Sequence, residues 1–163
     1  MLESSIRDVV SVVERILSSE RAALDRSLQT SGIDAKWGAI LPYFSANLDV
    51  GMFPTIMIQQ SSESFEWHSM PLIMEGTCEL TIWGLVHFDQ PLLTAEAIGR
   101  SAAVVARALN RAHLPVPLDS GLEVTFVDHA PLKSIQYGGS EINGVFVRSW
   151  MASFQSEIYA EVK

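Results

Sequence analysis

The sequence has little of several things, and each shortage excludes something. It has one cysteine in 163 residues, Cys78, so no disulfide can staple the chain. Set mid-strand among apolar neighbours, Cys78 reads as a buried, inert thiol. Charged residues make up 18% of the chain against a usual ~25%. Eleven Lys and Arg face nineteen Asp and Glu, a formal charge of −8 with a pI near 4.9. No basic cluster with interleaved aromatics stands out, which argues against binding by general attraction to phosphates. No apolar run is long enough to span a bilayer, and MLESSIRDVV lacks the basic start and unbroken apolar core of a signal peptide. The expectation is a soluble protein made in a reducing cytoplasm.

Motifs of chemistry are missing as well. There is no GxGxxG, GxxxxGK[ST], GxSxG, HExxH or CxxC. His68, His87, His113 and His129 are scattered. His87 and Asp89, two apart on one strand face, are the residue types of a metal site or a base and its orienter. The plainer reading is a partly exposed His87 that pairs locally. His113 suits a helix C-terminus, and His129 sits in a strand-end loop. His68 in SFEWHSM is a structural histidine or part of an aromatic contact patch with Phe65 and Trp67. Glu63, Glu66 and Glu75 flank a polar turn and read as solvated surface. Gly138-Gly139 reads as a turn rather than a phosphate cradle. No nucleophile, base and oxyanion site assembles, so no enzymatic activity, cofactor or metal is expected.

What is present is apolar surface. Hydrophobic residues reach 48% and the mean hydropathy is +0.21. A chain of this length buries roughly 70% of its unfolded surface as one domain, and the remaining apolar surplus fits burial against other subunits. Residues 4–29 carry Ile6, Val9, Val10, Val13, Ile16, Leu17, Ala23, Leu24 and Leu28 at helical spacing, with Ser4 or Ser5 as cap and Thr30, Ser31 and Gly32 as the end. Residues 33–52 are ambiguous. A strand is expected over 54–60, a turn over 61–64, an interrupted strand over 65–74 and a strand over 77–89. A helix follows over 94–113, capped by Thr94, with Ile98, Ala102, Val105, Leu109 and Ala112 as its buried stripe. LEVTFVD (122–128) is a strand, 130–144 a loop, and 145–162 a strand too long for its class, broken at a bulge or projecting beyond its domain. The fold class is α+β, one domain over 1–163, a mainly antiparallel sheet flanked by two helices in the order α-β-β-α-β-β.

The strand CELTIWGLVHF (78–88) alternates, with Cys78, Leu80, Ile82, Gly84, Val86 and Phe88 on one face. Its other face carries Trp83, Leu85 and His87 beside Glu79 and Thr81. A neighbouring subunit or the first helix is expected to cover that second face.

The passage IWGLVHFDQPLLTAEAIGRSAAVVARAL (82–109), where a strand runs straight into an Ala-rich helix, and the element order around it resemble the tail terminator, or tail completion, proteins of tailed bacteriophages and their cousins in the neck. The resemblance implies a virion protein, made in the host cytoplasm, that closes into a homo-oligomeric ring, usually sixfold. The ring caps the head-proximal end of the tail tube, ends its polymerisation and meets tail tube, sheath and neck or connector proteins. DNA passes its lumen without being held, and an acidic lumen wall suits that passage. No residue-by-residue role carries over. A ring needs two different patches on each subunit, and Trp83, Leu85, Phe65, Trp67, Trp150 and Met151 are the interface candidates. Another neck or head–tail connector ring subunit is the close alternative. A soluble binding module or assembly chaperone using the Phe65–Trp67 patch is the other, and would stay monomeric or dimeric.

Overall fold

A computed structural model describes residues 2–45, 47–69, 72–87, 91–111, 116–117, 123–124, 132–142 and 144–161. The chain begins with α1 (Leu2–Ser19) and α2 (Arg21–Thr30), followed by the short β1 (Ile40–Leu41) and a 3-10 turn at Val50–Met52. Two long strands come next, β2 (Thr55–Ser69) and β3 (Leu72–Val86), then α3 (Pro91–Arg111). A small ribbon of β4 (Val116–Pro117) and β5 (Glu123–Val124) precedes the hairpin of β6 (Leu132–Ile142) and β7 (Val145–Glu161). The main sheet has the order β1-β2-β3-β7-β6. Among the described strands only the β1–β2 pairing in this sheet is parallel; the rest are antiparallel. The class is therefore α+β, with a mixed five-stranded sheet and three helices.

The expected first helix is two. At Glu20 the backbone reaches φ −92°, ψ 11°, outside helical geometry. The Ser19 hydroxyl donates back to the Ile16 carbonyl at 2.6 Å, and such back-bonding competes with the helix ladder. The break lets Leu17 and Leu24, on either side of it, both bury completely. Ser4 and Ser5 lie inside α1, which starts at Leu2, so neither is its cap. α2 ends as expected. Gly32 takes φ +80°, and the Ile33 N–H reaches back to the Leu28 carbonyl at 3.0 Å, the Schellman closure that glycine permits.

All three helices lie on one face of the sheet. Val10, Val13, Leu17, Leu24 and Leu28 meet Ile56, Ile58, Cys78, Leu80, Ile82, Trp150 and Phe154 in one core with the α3 stripe Ile98, Ala102, Val105 and Leu109. Each fully buried Leu or Ile contributes about 1.5–3 kcal/mol. α3 starts three residues before the expected Thr94 cap, at Pro91, where proline's fixed φ suits a first turn. Ala112 and the His113 expected beside it lie outside the described residues.

The strands run longer than the hydrophobic pattern alone indicates. Residues 61–64, expected as a turn, continue β2 through a bulge between Gln60 and Ser62. Residues 132–142, expected as a loop, form β6, pairing with β7 from Leu132–Phe154 to Ile142–Val145. β7 keeps one register with β3 from Arg148 to Glu161, so the expected break is absent and the irregularity sits in β6 instead. Of the strand expected at 122–128 only Glu123–Val124 lies within the described residues.

Candidate assembly surface

The second face of β3 is covered by the chain itself, by a segment that pattern alone left ambiguous. Leu85 and Met57 bury against Leu48 and Val147, with Leu41, Phe53 and Trp83 packed around them. The residues between β1 and β2 therefore fold across the sheet face opposite the helices. The described buried residues of the first helix, Val10, Val12, Val13 and Leu17, join the core on the other face instead. The segment is anchored from α2: Asp25 accepts the Trp37 N–H at 2.8 Å, and Arg21 donates to the Trp37 carbonyl at 2.6 Å and to the Gly38 carbonyl.

The cover is partial. Trp83 stays half-exposed, its ring 5.5 Å from that of Phe44 at 58°. Its indole N–H is closed off from solvent and has no partner among the described residues. Tyr43, Phe44 and Met52 are 57%, 46% and 37% exposed, an aromatic rim at the β1 side of the sheet. A second exposed aromatic pair, Tyr137 and Phe146, stands on the β6–β7 hairpin at the opposite side. These two line a cleft of about 470 Å³ with Arg148 and the Ala95–Gly99 turn of α3. The Phe146 ring lies over Gly139, where a Cβ would come within 2.6 Å of it.

Further along, β2, β3 and β7 run on past Ile58, Cys78 and Phe154, the last of their described residues in that core. Beyond them Ser61–Ser69, Leu72–Thr77 and Ser156–Glu161 continue as an arm that is three-stranded over about 20 Å at ~3.3 Å per residue. Ser61, Ser62, Ser64 and Glu66 are exposed on it. Its base is laced by hydroxyls: Ser61 with Thr81 at 2.8 Å, Ser64 with Thr77 at 2.8 Å, and Ser62 donating to Glu79 at 3.1 Å. Glu79 also pairs with Lys133 of β6. The Lys133 hydrogen bond, the Ser62 hydroxyl and the Lys133 charge hold the Glu79 carboxyl below the usual carboxylate range. The arm strands carry Glu63, Glu66, Glu75, Glu157 and Glu161 and no Lys or Arg.

Of the six interface candidates, Trp150 lies wholly in the core. Its indole N–H donates to the Ser101 hydroxyl at 3.0 Å. It is held there because Gly84 gives the ring room. Leu85 is 6% exposed and belongs to the covered cluster. Trp83 and Met151, opposite each other in register, remain half-exposed on the second face. Phe65 and Trp67 are on the arm strand β2, and their side chains lie outside the described residues. Tyr43, Phe44, Tyr137 and Phe146, the most open large aromatic side chains among the described residues, went unsingled in the sequence because no periodicity marks an irregular segment or a glycine-split strand.

His87 does pair locally: its Nδ1 is 2.7 Å from the Phe146 carbonyl, tying the end of β3 to the hairpin. Asp89 and His129 lie outside the described residues, as does the side chain of His68. Gly138 and Gly139 are in mid-strand rather than in a turn. Among the described residues no group of three His, Cys, Asp or Glu could hold a metal ion, and no helix is long and apolar enough to cross a membrane.

No protein-family model and no curated protein matches the sequence. Among solved structures, a chain from the "virion of native gene transfer agent (GTA) particle" aligns over 86% of this chain and 94% of its own length. The identity is 14% and the TM-score 0.40. Likeness at that level establishes neither a shared fold nor a shared role.

Proposed function

We propose that the chain is a structural subunit of a tailed-phage-type particle, working by assembly rather than by catalysis. In this reading copies close into a ring, six by the tail-terminator resemblance of residues 82–109, that caps the tail tube and joins it to the neck. The observation that carries the reading is the arm. Its strands run on past Ile58, Cys78 and Phe154 with Ser61, Ser62, Ser64 and Glu66 exposed, a surface that another molecule can cover. The aromatic rims at the two sides of the sheet supply unlike patches, the condition for a heterologous ring rather than a twofold dimer. Trp83 and Met151 contribute to that contact in this reading.

The acidic arm suits a place at the lumen. With five Glu and no Lys or Arg along its strands it repels phosphate, so DNA passes without adhering. A chaperone or binding module would instead use the Phe65–Trp67 patch for a soluble partner.

The test is negative-stain electron microscopy of the purified protein, alone and mixed with open tail tubes. Closed rings with a central hole that also seat on tube ends are the expected result. Particles that never form rings and leave tube ends bare would overturn the terminator role.

A further inference from the structure

Among the described residues the main sheet ends in two unlike free edges. On one side β1 pairs only with Ile56 and Met57, and among the described residues no strand follows along β2 from Ile58 to Ser69. On the other side β6 pairs with β7 and with no other described strand. Free edges present unpaired N–H and C=O groups, and natural sheets usually blunt them with Lys, Pro or very short strands. The two-residue β1, Pro42 after it and the bulge between Gln60 and Ser62 blunt only the start of the β2 edge. The free stretch of β2 has no Lys and no Pro, and the one Lys of β6, Lys133, is engaged by Glu79.

We propose that copies of this chain join edge to edge, β6 of one adding antiparallel to the Ile58–Ser69 stretch of β2 in the next. The inference rests on the assembly reading above and specifies its contact. Three observations select a second copy as the occupant. The first is direction: β2, β3, β7 and β6 alternate, so a neighbour's β2 set beside β6 continues the antiparallel sheet with no reversal. The second is length, since the eleven residues of β6 match the free stretch of β2 closely.

The third is a groove of about 640 Å³ where that stretch begins, walled by Val10, Tyr43, Phe44 and Gln60. The Gln60 side-chain carbonyl in this wall is closed off from solvent and has no partner among the described residues. An incoming strand brings donors to it. Pairing β6 with a second β6 would also run antiparallel, but it would leave this groove and its orphan acceptor unfilled. Because each copy has one edge of each kind, the contact propagates into a ring or a chain and never stops at two.

Cysteine crosslinking tests this directly, because Cys78 is the only cysteine and is buried. Ser62, Ser64, Ser134 and Gln136 all lie on the face opposite the helices by register. Double variants pair Ser62→Cys or Ser64→Cys with Ser134→Cys or Gln136→Cys. Mild oxidation of at least one should give a reducible ladder beyond dimer, while every single variant stays uncrosslinked. Amide exchange on the unsubstituted protein provides the second measurement, with slowed exchange in both Ile58–Ser69 and Leu132–Ile142 on assembly.

Dimers from a single Gln136→Cys or Ser134→Cys variant would mean that β6 meets β6, and would overturn the proposal. Defined multimers whose two edges exchange freely would overturn it too, leaving assembly through some other surface. A monomer at every concentration would remove the assembly reading along with it.

Discussion

Gly84→Ala tests how the sheet and α3 are locked together. The Trp150 indole lies against the Gly84 backbone, and a Cβ at that position would stand 2.2 Å from its Cε2 and Nε1 and 2.5 Å from Cζ2. Ordinary contact needs about 3.5–4 Å, so the ring must retreat by more than ~1 Å. It has nowhere to go, being fully buried, and retreat pulls its N–H from the Ser101 hydroxyl now at 3.0 Å. Overpacking costs about 1–3 kcal/mol and a stranded buried donor about 1–3 kcal/mol more. A loss near ~4 kcal/mol is expected from a total that is typically only ~5–15 kcal/mol. For a domain of this size that is a fall of roughly 8–16 °C in the thermal midpoint. Urea unfolding should report it at unchanged slope. Trp150→Phe removes the atoms that clash, so in that background Gly84→Ala should cost much less, a coupling visible in a double-mutant cycle. Gly84→Ala within ~0.5 kcal/mol of the parent, or strict additivity with Trp150→Phe, would refute the packing argument.

Other outcomes follow from neighbouring contacts. Asp25→Ala removes the acceptor of the Trp37 N–H and should cost about 1–2 kcal/mol in urea unfolding, with the 33–39 segment losing protease resistance. Gly144, at φ +78° in the β6–β7 turn, should lose about 1 kcal/mol on substitution by Ala. Glu79 is lowered in the folded state by Lys133 and Ser62. Its stabilisation is therefore present above the unfolded carboxylate range and lost as pH falls through its folded value. The fall in urea midpoint between neutral and acid pH should be smaller in Glu79→Gln than in the parent. An identical fall in both would count against the pairing.

Much of the helical layer was legible because it follows burial periodicity. The α3 stripe and the end of α2 at Ser31–Gly32 lie as their spacing and chemistry indicate. The break at Glu20 was hidden because the apolar stripe runs through it; only the paired serines before it hint at competition for helix carbonyls. The polar run Ser61–Ser64 has turn composition yet is strand, since it pairs with Thr77–Glu79 through hydroxyl contacts that a single strand cannot reveal. β6 was equally concealed: Gly138 and Gly139 weaken its local preference, and its place is fixed by β7 across the hairpin. The site was half legible. The two-sided strand 78–88 pointed to a covered second face, and Trp83 lies there half-open. That the cover comes from residues 41–53 depends on a long-range crossing no local pattern records. Trp150 looked like surface because strand parity alone does not say which face the helices take.

The central claim is that this chain assembles with copies of itself. Its most direct test is the mass of the purified protein by light scattering across a concentration series. A defined multiple near six, either alone or on addition of tail tubes, is the predicted result. A monomer that stays monomeric at every concentration and ignores tail tubes would contradict it.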